Sequence, residues 1–222
     1  MKRILFGLLA MLVVCVLATP AHAVLINRGT DTAGNRLIYD QDLDITWYDY
    51  TNATDDWASQ VAWAGGLSVD FGGNTYNDWR LPATVDGAYE WGFDGTTTAG
   101  YNITTSEMGH LFYTELGNLG YYDTSGSGPQ PGWGLSNTGA FQNLISSVYW
   151  SGTEFADNIN GAWSFRFTLG NQNADLKPSD FYGLAVRSGD VAAVPEPATI
   201  VLLGIGLAGF AGYGVRRRRR LR

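Results

Sequence analysis

The 222-residue chain contains one cysteine and two histidines, and their positions exclude several kinds of chemistry. Cys15 and His22 fall within the first 23 residues, which are interpreted below as a signal peptide. The exported chain is therefore expected to contain neither a disulfide nor a catalytic thiolate. Its one histidine, His110, cannot by itself make a zinc site of the histidine and cysteine kind. We expect His110 to lie on a helix surface or in a packing contact, because no nucleophile stands beside it.

Basic residues are also scarce in the middle of the chain. Residues 24–190 contain six arginines and lysines against twenty acidic residues, which gives a net charge of −14. A surface of this sign repels DNA, RNA and sulfated polysaccharides, and it favours cations or neutral partners. We therefore predict no nucleic-acid partner.

The first 23 residues have the pattern of a secretory signal peptide. Lys2 and Arg3 precede an apolar run over residues 4–18, and Ala21-His22-Ala23 supplies the small residues of a cleavage site. Export across the inner membrane is expected, with residues 24–190 as the exported domain.

The segment 191–222 has the pattern of a second targeting signal. Residues 198–215 carry no charge, and a helix of this length would measure roughly 27 Å, close to the hydrocarbon thickness of a bilayer. They are predicted to form a transmembrane helix. The arginines at 216–220 follow directly, and positive flanks of this kind stay in the cytoplasm.

The order of these features resembles the PEP-CTERM sorting signal of bacteria that produce extracellular polysaccharide. The residues that carry the resemblance are Pro195, Glu196, Pro197, Arg216, Arg217, Arg218, Arg219 and Arg220. The resemblance implies processing by an exosortase-type membrane protease, a transient membrane anchor, and a final location at the cell surface or in the extracellular matrix. The alternative is an ordinary single-pass anchor, which would leave the Pro-Glu-Pro motif unexplained.

The exported domain is long enough to form one core, and its hydrophobic pattern predicts both strands and helices. Strands are predicted over residues 37–39, 43–47, 148–154, 162–167 and 182–187, and a turn over residues 171–175. The first two strands are predicted to pair with each other across a short polar turn. Strand 162–167 alternates, which predicts one buried and one solvated face. One helix is predicted to follow an Asp55 or Asp56 cap, and a second to begin at a Thr104 and Glu107 capping box.

The order of the aromatic and charged motifs resembles the Lcl C-terminal domain family, found at the ends of bacterial collagen-like adhesins. The resemblance extends over residues 30–188, and its motifs are Trp47, Trp57, Trp79 to Pro82, Glu107, Tyr149 to Glu154, Ala162-Trp163 and Val186-Arg187. It implies an α+β, C-type-lectin-like fold with two helices and small antiparallel sheets. Two features depart from the family. Ser188 follows Arg187 where a cysteine is frequent, and the negative charge disfavours the sulfated-glycan binding of the adhesins.

Trp79-Arg80-Leu81-Pro82 is the sharpest local motif of the domain. We expect Trp79 and Leu81 to lie in the core, and Arg80 to pair with a buried carboxylate such as Glu154. The alternative is that Arg80 binds a ligand directly. A structural role is also expected for Tyr149, Trp150, Glu154 and Arg187.

Aromatic residues in the predicted loops are the candidates for contact with a ligand, because exposed rings stack on sugars and on other proteins. These candidates are Trp91, Phe93, Tyr121, Tyr122 and Trp133.

Three functions fit this sequence. The favoured one is a non-enzymatic secreted or surface protein that associates with extracellular polysaccharide or biofilm matrix through a lectin-like domain. The second is a calcium-dependent adhesin module. Asp40, Asp42 and Asp44 alternate as at the start of an EF-hand loop, but the required glycine and glutamate are missing. The third is an extracellular glycan-active enzyme, which twenty carboxylates neither identify nor exclude. We predict no catalytic residue, no metal site and no cofactor, with calcium as the one ion left open.

Overall fold

The computed structural model describes residues 25–191, and within them strand is far more abundant than helix. Strands make up 38% and helices 11%, so the sheet is the framework of the fold. The strands are β1 (Leu25–Thr30), β2 (Arg36–Asp40), β3 (Ile45–Asp55), β4 (Val69–Phe71), β5 (Asn74–Tyr76), β6 (Trp91–Gly92), β7 (Ala99–Tyr101), β8 (Val148–Glu154), β9 (Gly161–Arg166), β10 (Asn171–Leu176) and β11 (Phe181–Ser188). The helices are α1 (Trp57–Gly65) and α2 (Glu107–His110), and α2 continues as a π-helical turn over Leu111–Glu115.

Nine of these strands form one mixed sheet in the order β1-β2-β3-β11-β8-β9-β10-β7-β6. Neighbours are antiparallel except at two places, where β11 runs parallel to β8 and β6 runs parallel to β7. The strands β4 and β5 form a separate hairpin. The predicted pairing of the two strands at residues 37–39 and 43–47 is confirmed, because Ile38 lies opposite Trp47. The predicted final strand is confirmed as β11.

The predicted fold class is wrong. An α+β, C-type-lectin-like domain with two helices and small antiparallel sheets was expected, whereas the described residues form mainly one large mixed sheet. Part of the difference lies at Asn171–Leu176. A turn was predicted over residues 171–175, where asparagine and aspartate, which are rare in strands, are frequent. This segment is the strand β10, which pairs with β9 along its whole length and also with β7. Those long-range hydrogen bonds outweigh the low strand propensity of asparagine and aspartate.

The fold class also included one transmembrane helix, over residues 198–215, and these residues lie outside those that the structure describes. Between residues 25 and 191, no helix is long and apolar enough to cross a bilayer. The signal peptide of residues 1–23 and the tail after Val191 lie outside the described part as well.

The two helices begin differently. Asp56 begins α1 as predicted, and its carboxylate accepts a hydrogen bond of 2.8 Å from the Ser59 N–H. The start of α2 is a correction, because the capping residue is Ser106 rather than Thr104. Glu107 is the first helical residue, and its carboxylate binds Arg80 instead of closing a capping box. The second helix therefore consists of one ordinary turn, α2, followed by one π-helical turn.

Each face of the central sheet is covered by its own core, because successive side chains of a strand point to opposite faces. One core packs α2 and the π-helical turn on the sheet and includes Ile38, Trp47, Met108, Leu111, Phe112, Tyr149, Phe165 and Val186. The other packs α1 on the opposite face and includes Leu37, Tyr48, Ala64, Trp79, Leu81, Trp150 and Ala185. The predicted solvated face of β9 is therefore wrong. Ser164 is fully buried, and its hydroxyl donates to Asp175.

Candidate functional site

Eight aromatic side chains form a continuous row along the edge strand β6, its neighbour β7 and the loops beside them. We name this row the aromatic band. Its members, in order of contact, are Phe155, Tyr89, Trp91, Tyr101, Phe93, Tyr122, Tyr121 and Trp133. Centroids of successive rings are 4.8–6.5 Å apart, a range in which aromatic pairs attract each other. The band brings together all five aromatic residues that were predicted as ligand contacts.

The band is open to solvent mainly at its two ends. At one end Tyr89 and Trp91 are each 45% exposed, and their rings stack with an interplanar angle of 28°. At the other end Trp133 is 40% exposed. Tyr121 and Tyr122 are half-buried between these ends. Trp91 and Trp133 are therefore placed to contact a ligand, whereas Tyr121 and Tyr122 mainly support the exposed rings.

Backbone pairing fixes the end of the band that contains Tyr89 and Trp91. Trp91 of β6 lies opposite Ala99 of β7, and Gly100 lets these two strands approach closely. Gly100 has a φ of +112°, and a Cβ atom there would lie 1.9 Å from the carbonyl oxygen of Gly92. A side chain at Gly100 would force β6 away from β7. The Tyr89 hydroxyl also donates to Asn173 at 2.8 Å.

The Trp79-Arg80-Leu81-Pro82 motif lies where α2 meets the sheet. Trp79 and Leu81 are buried, as predicted. The predicted pairing of Arg80 with Glu154 is wrong, because both oxygens of the Glu107 carboxylate accept from the Arg80 guanidinium at 2.7 and 2.6 Å. These bonds raise the pKa of Arg80. Glu154 instead pairs with Lys177 at 3.3 Å, and its side chain is 54% exposed.

The other residues predicted to be structural lie in packing and ion-pair contacts. Tyr149 and Trp150 are fully buried on opposite faces of β8. The Pro82 carbonyl accepts from the Gly152 N–H at 2.8 Å, which attaches the motif to β8. The Arg187 guanidinium donates to both oxygens of the Asp78 carboxylate at 2.8 and 3.0 Å.

A cleft of about 230 Å³ lies beside Arg80, between α1 and β8. Val61 of α1, Trp79, Arg80 and Thr153 of β8 contribute to its walls. Pockets that enclose small molecules usually measure about 300–1,000 Å³. The cleft is therefore small. Its position beside Arg80 is not enough to identify the Arg80 and Glu107 ion pair as part of a binding site.

A third arrangement, which was not predicted, is a buried cluster of Asp40, His110 and Glu115. We name it the acid–histidine cluster. Asp40 ends β2, His110 ends α2, and Glu115 ends the π-helical turn. The His110 Nε2 atom lies 3.2 Å from Glu115 Oε1, and the ligand atoms of all three residues lie within 4.8 Å of one another. Asp40 and the Glu115 side chain are fully buried, and the His110 side chain is 14% exposed.

Burial dominates the electrostatics of this cluster. It raises the pKa of Glu115 to about 7, and the negative charge of Asp40 adds to the effect. Burial also raises the pKa of Asp40, against the opposing effect of hydrogen bonds from the Leu43 N–H and the Trp47 indole. Within the described residues, Oε2 of Glu115 has no hydrogen-bond partner. Two carboxyl groups in this arrangement hold a proton between them or bind a cation.

The sequence contained only part of the information that defines the cluster. In an α-helix, two residues five positions apart point about 140° away from each other, so His110 and Glu115 are not expected to meet. The wider π-helical turn, in which the Leu116 N–H donates to the Leu111 carbonyl at 3.0 Å, turns both towards Asp40. A lone histidine followed by a glutamate was the available signal, and it does not indicate the third member.

Comparison with known proteins identifies the tail. Residues 193–220 match the PEP-CTERM protein-sorting motif, as predicted. The chain carries an exosortase sorting signal. It is accordingly an exported protein that exosortase, a membrane protein, processes, and its C-terminal anchor precedes a surface or extracellular fate. The match does not extend into residues 25–191, and no family match supports the resemblance to the Lcl C-terminal domain. The comparisons with curated proteins and with solved structures give no match.

Proposed function

We propose that the exported domain contacts neutral or cation-bridged polysaccharide of the extracellular matrix through the exposed rings of the aromatic band, and that it catalyses no reaction there. The observation that carries this proposal is the stacked and exposed pair Tyr89 and Trp91. Exposed aromatic rings offer apolar faces of the kind that stack on the face of a sugar.

The charge of the domain narrows the class of polysaccharide. With a net charge of −14 over residues 24–190, approach to a sulfated chain is unfavourable, and a neutral chain or one bridged by cations is favoured. The sorting signal supports an extracellular site of action. Because a few exposed rings without a deep pocket make limited contact, we expect dissociation constants of about 1 μM to 1 mM.

Co-sedimentation with the matrix of the producing cell tests the proposal. The exported protein is purified from its host and mixed with that matrix, and the bound fraction is measured against protein concentration. Trp91→Ala and Trp133→Ala should each weaken binding about 5–30-fold, which corresponds to about 1–2 kcal/mol. Retention of full affinity by the double variant would contradict the proposal.

A comparison of two tyrosines tests whether the loss of any exposed ring, inside or outside the band, weakens binding. Tyr89 is 45% exposed and belongs to the band, whereas Tyr50 is 40% exposed and packs beside Tyr48 and Trp63. Tyr89→Ala should weaken binding, and Tyr50→Ala should leave it unchanged. Equal losses would show that the band has no special part in binding.

Further measurements separate this function from the alternatives. Loss of binding in chelator would fit both cation-bridged polysaccharide and a calcium-dependent adhesin module, and calorimetric binding of Ca²⁺ by the protein without matrix would show the adhesin module. Steady release of reducing ends from the matrix would show an enzyme. Tight binding to heparin at physiological salt would show that the partner is a negatively charged polysaccharide, against the argument from charge.

A further inference from the structure

The acid–histidine cluster has no part in the proposed contact with polysaccharide. The close approach of its three side chains therefore needs a separate explanation. Asp40 comes from the end of β2, and His110 and Glu115 come from the two ends of the π-helical turn. Turns of this kind are rare and occur frequently at functional sites. Here the turn places the side chains of His110 and Glu115 on one side of a short helical segment, where they face Asp40 of the sheet.

An unpartnered buried atom points to a missing positive charge. The Glu115 side chain is fully buried, and its Oε2 has no hydrogen-bond partner in the part of the chain that the structure describes. The other acidic member, Asp40, is fully buried as well. Carboxylate oxygens only accept hydrogen bonds. Their close approach in a buried place therefore requires a cation or a proton between them.

We propose that Asp40, His110 and Glu115 together bind one divalent transition-metal ion, with Zn²⁺ as its representative. Bonds of about 2.0–2.2 Å place two ligands of a tetrahedral ion about 3.4 Å apart. The observed distance between His110 Nε2 and Glu115 Oε1 is 3.2 Å, close to that value. The widest separation among the ligand atoms is at most 4.8 Å, so binding needs an inward movement of about 1.4 Å at most.

The donor set selects the kind of ion. One imidazole nitrogen with two carboxylates suits Zn²⁺ and similar ions, whereas Ca²⁺ requires six to eight oxygen ligands. The Asp40 carboxylate is already oriented, because the Leu43 N–H and the Trp47 indole N–H donate to its two oxygens at 3.1 and 3.4 Å. Each of these oxygens keeps a second lone pair for the metal.

The position of the cluster indicates what bound metal would do. It would connect the end of β2 to the π-helical turn, two segments separated by about seventy residues of sequence. An ion that binds the folded chain and not the unfolded one stabilises the fold by an amount that grows with the ratio of its free concentration to its dissociation constant. The expected role is therefore a structural cross-link, and it is independent of the aromatic band.

Titration of the exported protein with Zn²⁺ tests this inference. The protein is purified from its host, stripped with chelator, dialysed and titrated by calorimetry. We expect one equivalent of Zn²⁺ to bind and to raise the melting temperature. Co²⁺ should give the intense visible absorption of a tetrahedral site. His110→Ala and Glu115→Gln should each weaken Zn²⁺ binding at least about tenfold and remove this absorption, because each removes one ligand.

Asp157→Asn is the control, because Asp157 is an exposed acid that lies outside the cluster. It should bind Zn²⁺ within about twofold of the unmodified protein. Circular dichroism of the stripped proteins checks that the variants fold, and Glu115→Gln preserves the size of the side chain. Absence of Zn²⁺ binding in the unmodified protein would show that a proton fills the cluster. Undiminished binding by Glu115→Gln, or preference for Ca²⁺, would also overturn the inference.

Discussion

Replacement of Arg80 by alanine should destabilise the domain rather than remove a ligand contact. The change deletes two charge-assisted hydrogen bonds to Glu107, whose side chain is only 16% exposed and keeps one bond from the Ala83 N–H. Breaking a fully buried pair costs about 3–5 kcal/mol. Since the Arg80 side chain is 39% exposed, water replaces part of the lost interaction, and we expect a loss of about 1.5–3 kcal/mol.

Thermal melting and urea unfolding measure this loss. For a domain of this size, the expected change is a decrease of roughly 3–12 °C in the melting temperature. A double-mutant cycle with Glu107→Gln isolates the pair energy. Glu154→Gln is the control, because its carboxylate is 54% exposed and 3.3 Å from Lys177, and it should change stability by less than about 1 kcal/mol. An unchanged melting temperature together with lost binding to matrix would refute this reasoning and make Arg80 a ligand contact.

Three further predictions follow from local geometry. Gly100→Ala should lower the melting temperature far more than Gly73→Ala, because its added Cβ would lie 1.9 Å from a backbone oxygen, whereas that of Gly73 meets no atom within 4 Å. Ser106→Ala should cost about 0.5–2 kcal/mol in urea unfolding, and Thr104→Ala should cost little, because Ser106 caps α2. In metal-free protein, stability should decrease by about 3 kcal/mol between about pH 4.5 and pH 7, because unfolded Glu115 loses its proton at the lower pH and folded Glu115 at the higher. Glu115→Gln should remove this dependence, and an unchanged profile would contradict the assignment.

Features that depend on neighbouring residues were predicted well. The pairing of β2 with β3 follows from two apolar runs joined by a short polar turn, and Asp56 caps α1 through a contact only three residues long. The sorting motif is likewise contiguous in sequence. In each case the residues that determine the feature are close enough in the chain for their spacing to carry the information.

Features that depend on distant partners were not predicted. β10 is a strand because β9 and β7 offer it hydrogen bonds on both sides, and its own composition indicates a turn. Arg80 was correctly expected to meet a carboxylate, but the sequence could not distinguish Glu107 from Glu154. The acid–histidine cluster required both a π-helical turn and a residue about seventy positions earlier, and no local pattern indicates either.

The strand order separates the end of the described chain from the proposed contact surface. The described chain ends beside β1 and β3, where Asp190 pairs with Arg28 and Ser188 lies opposite Ile45. The aromatic band follows β6 and β7 at the other edge of the sheet, five strand positions from β11. At about 4.8 Å per strand, this separation is about 24 Å along the sheet. The last described residues of the chain therefore lie on the other side of the sheet from the exposed rings.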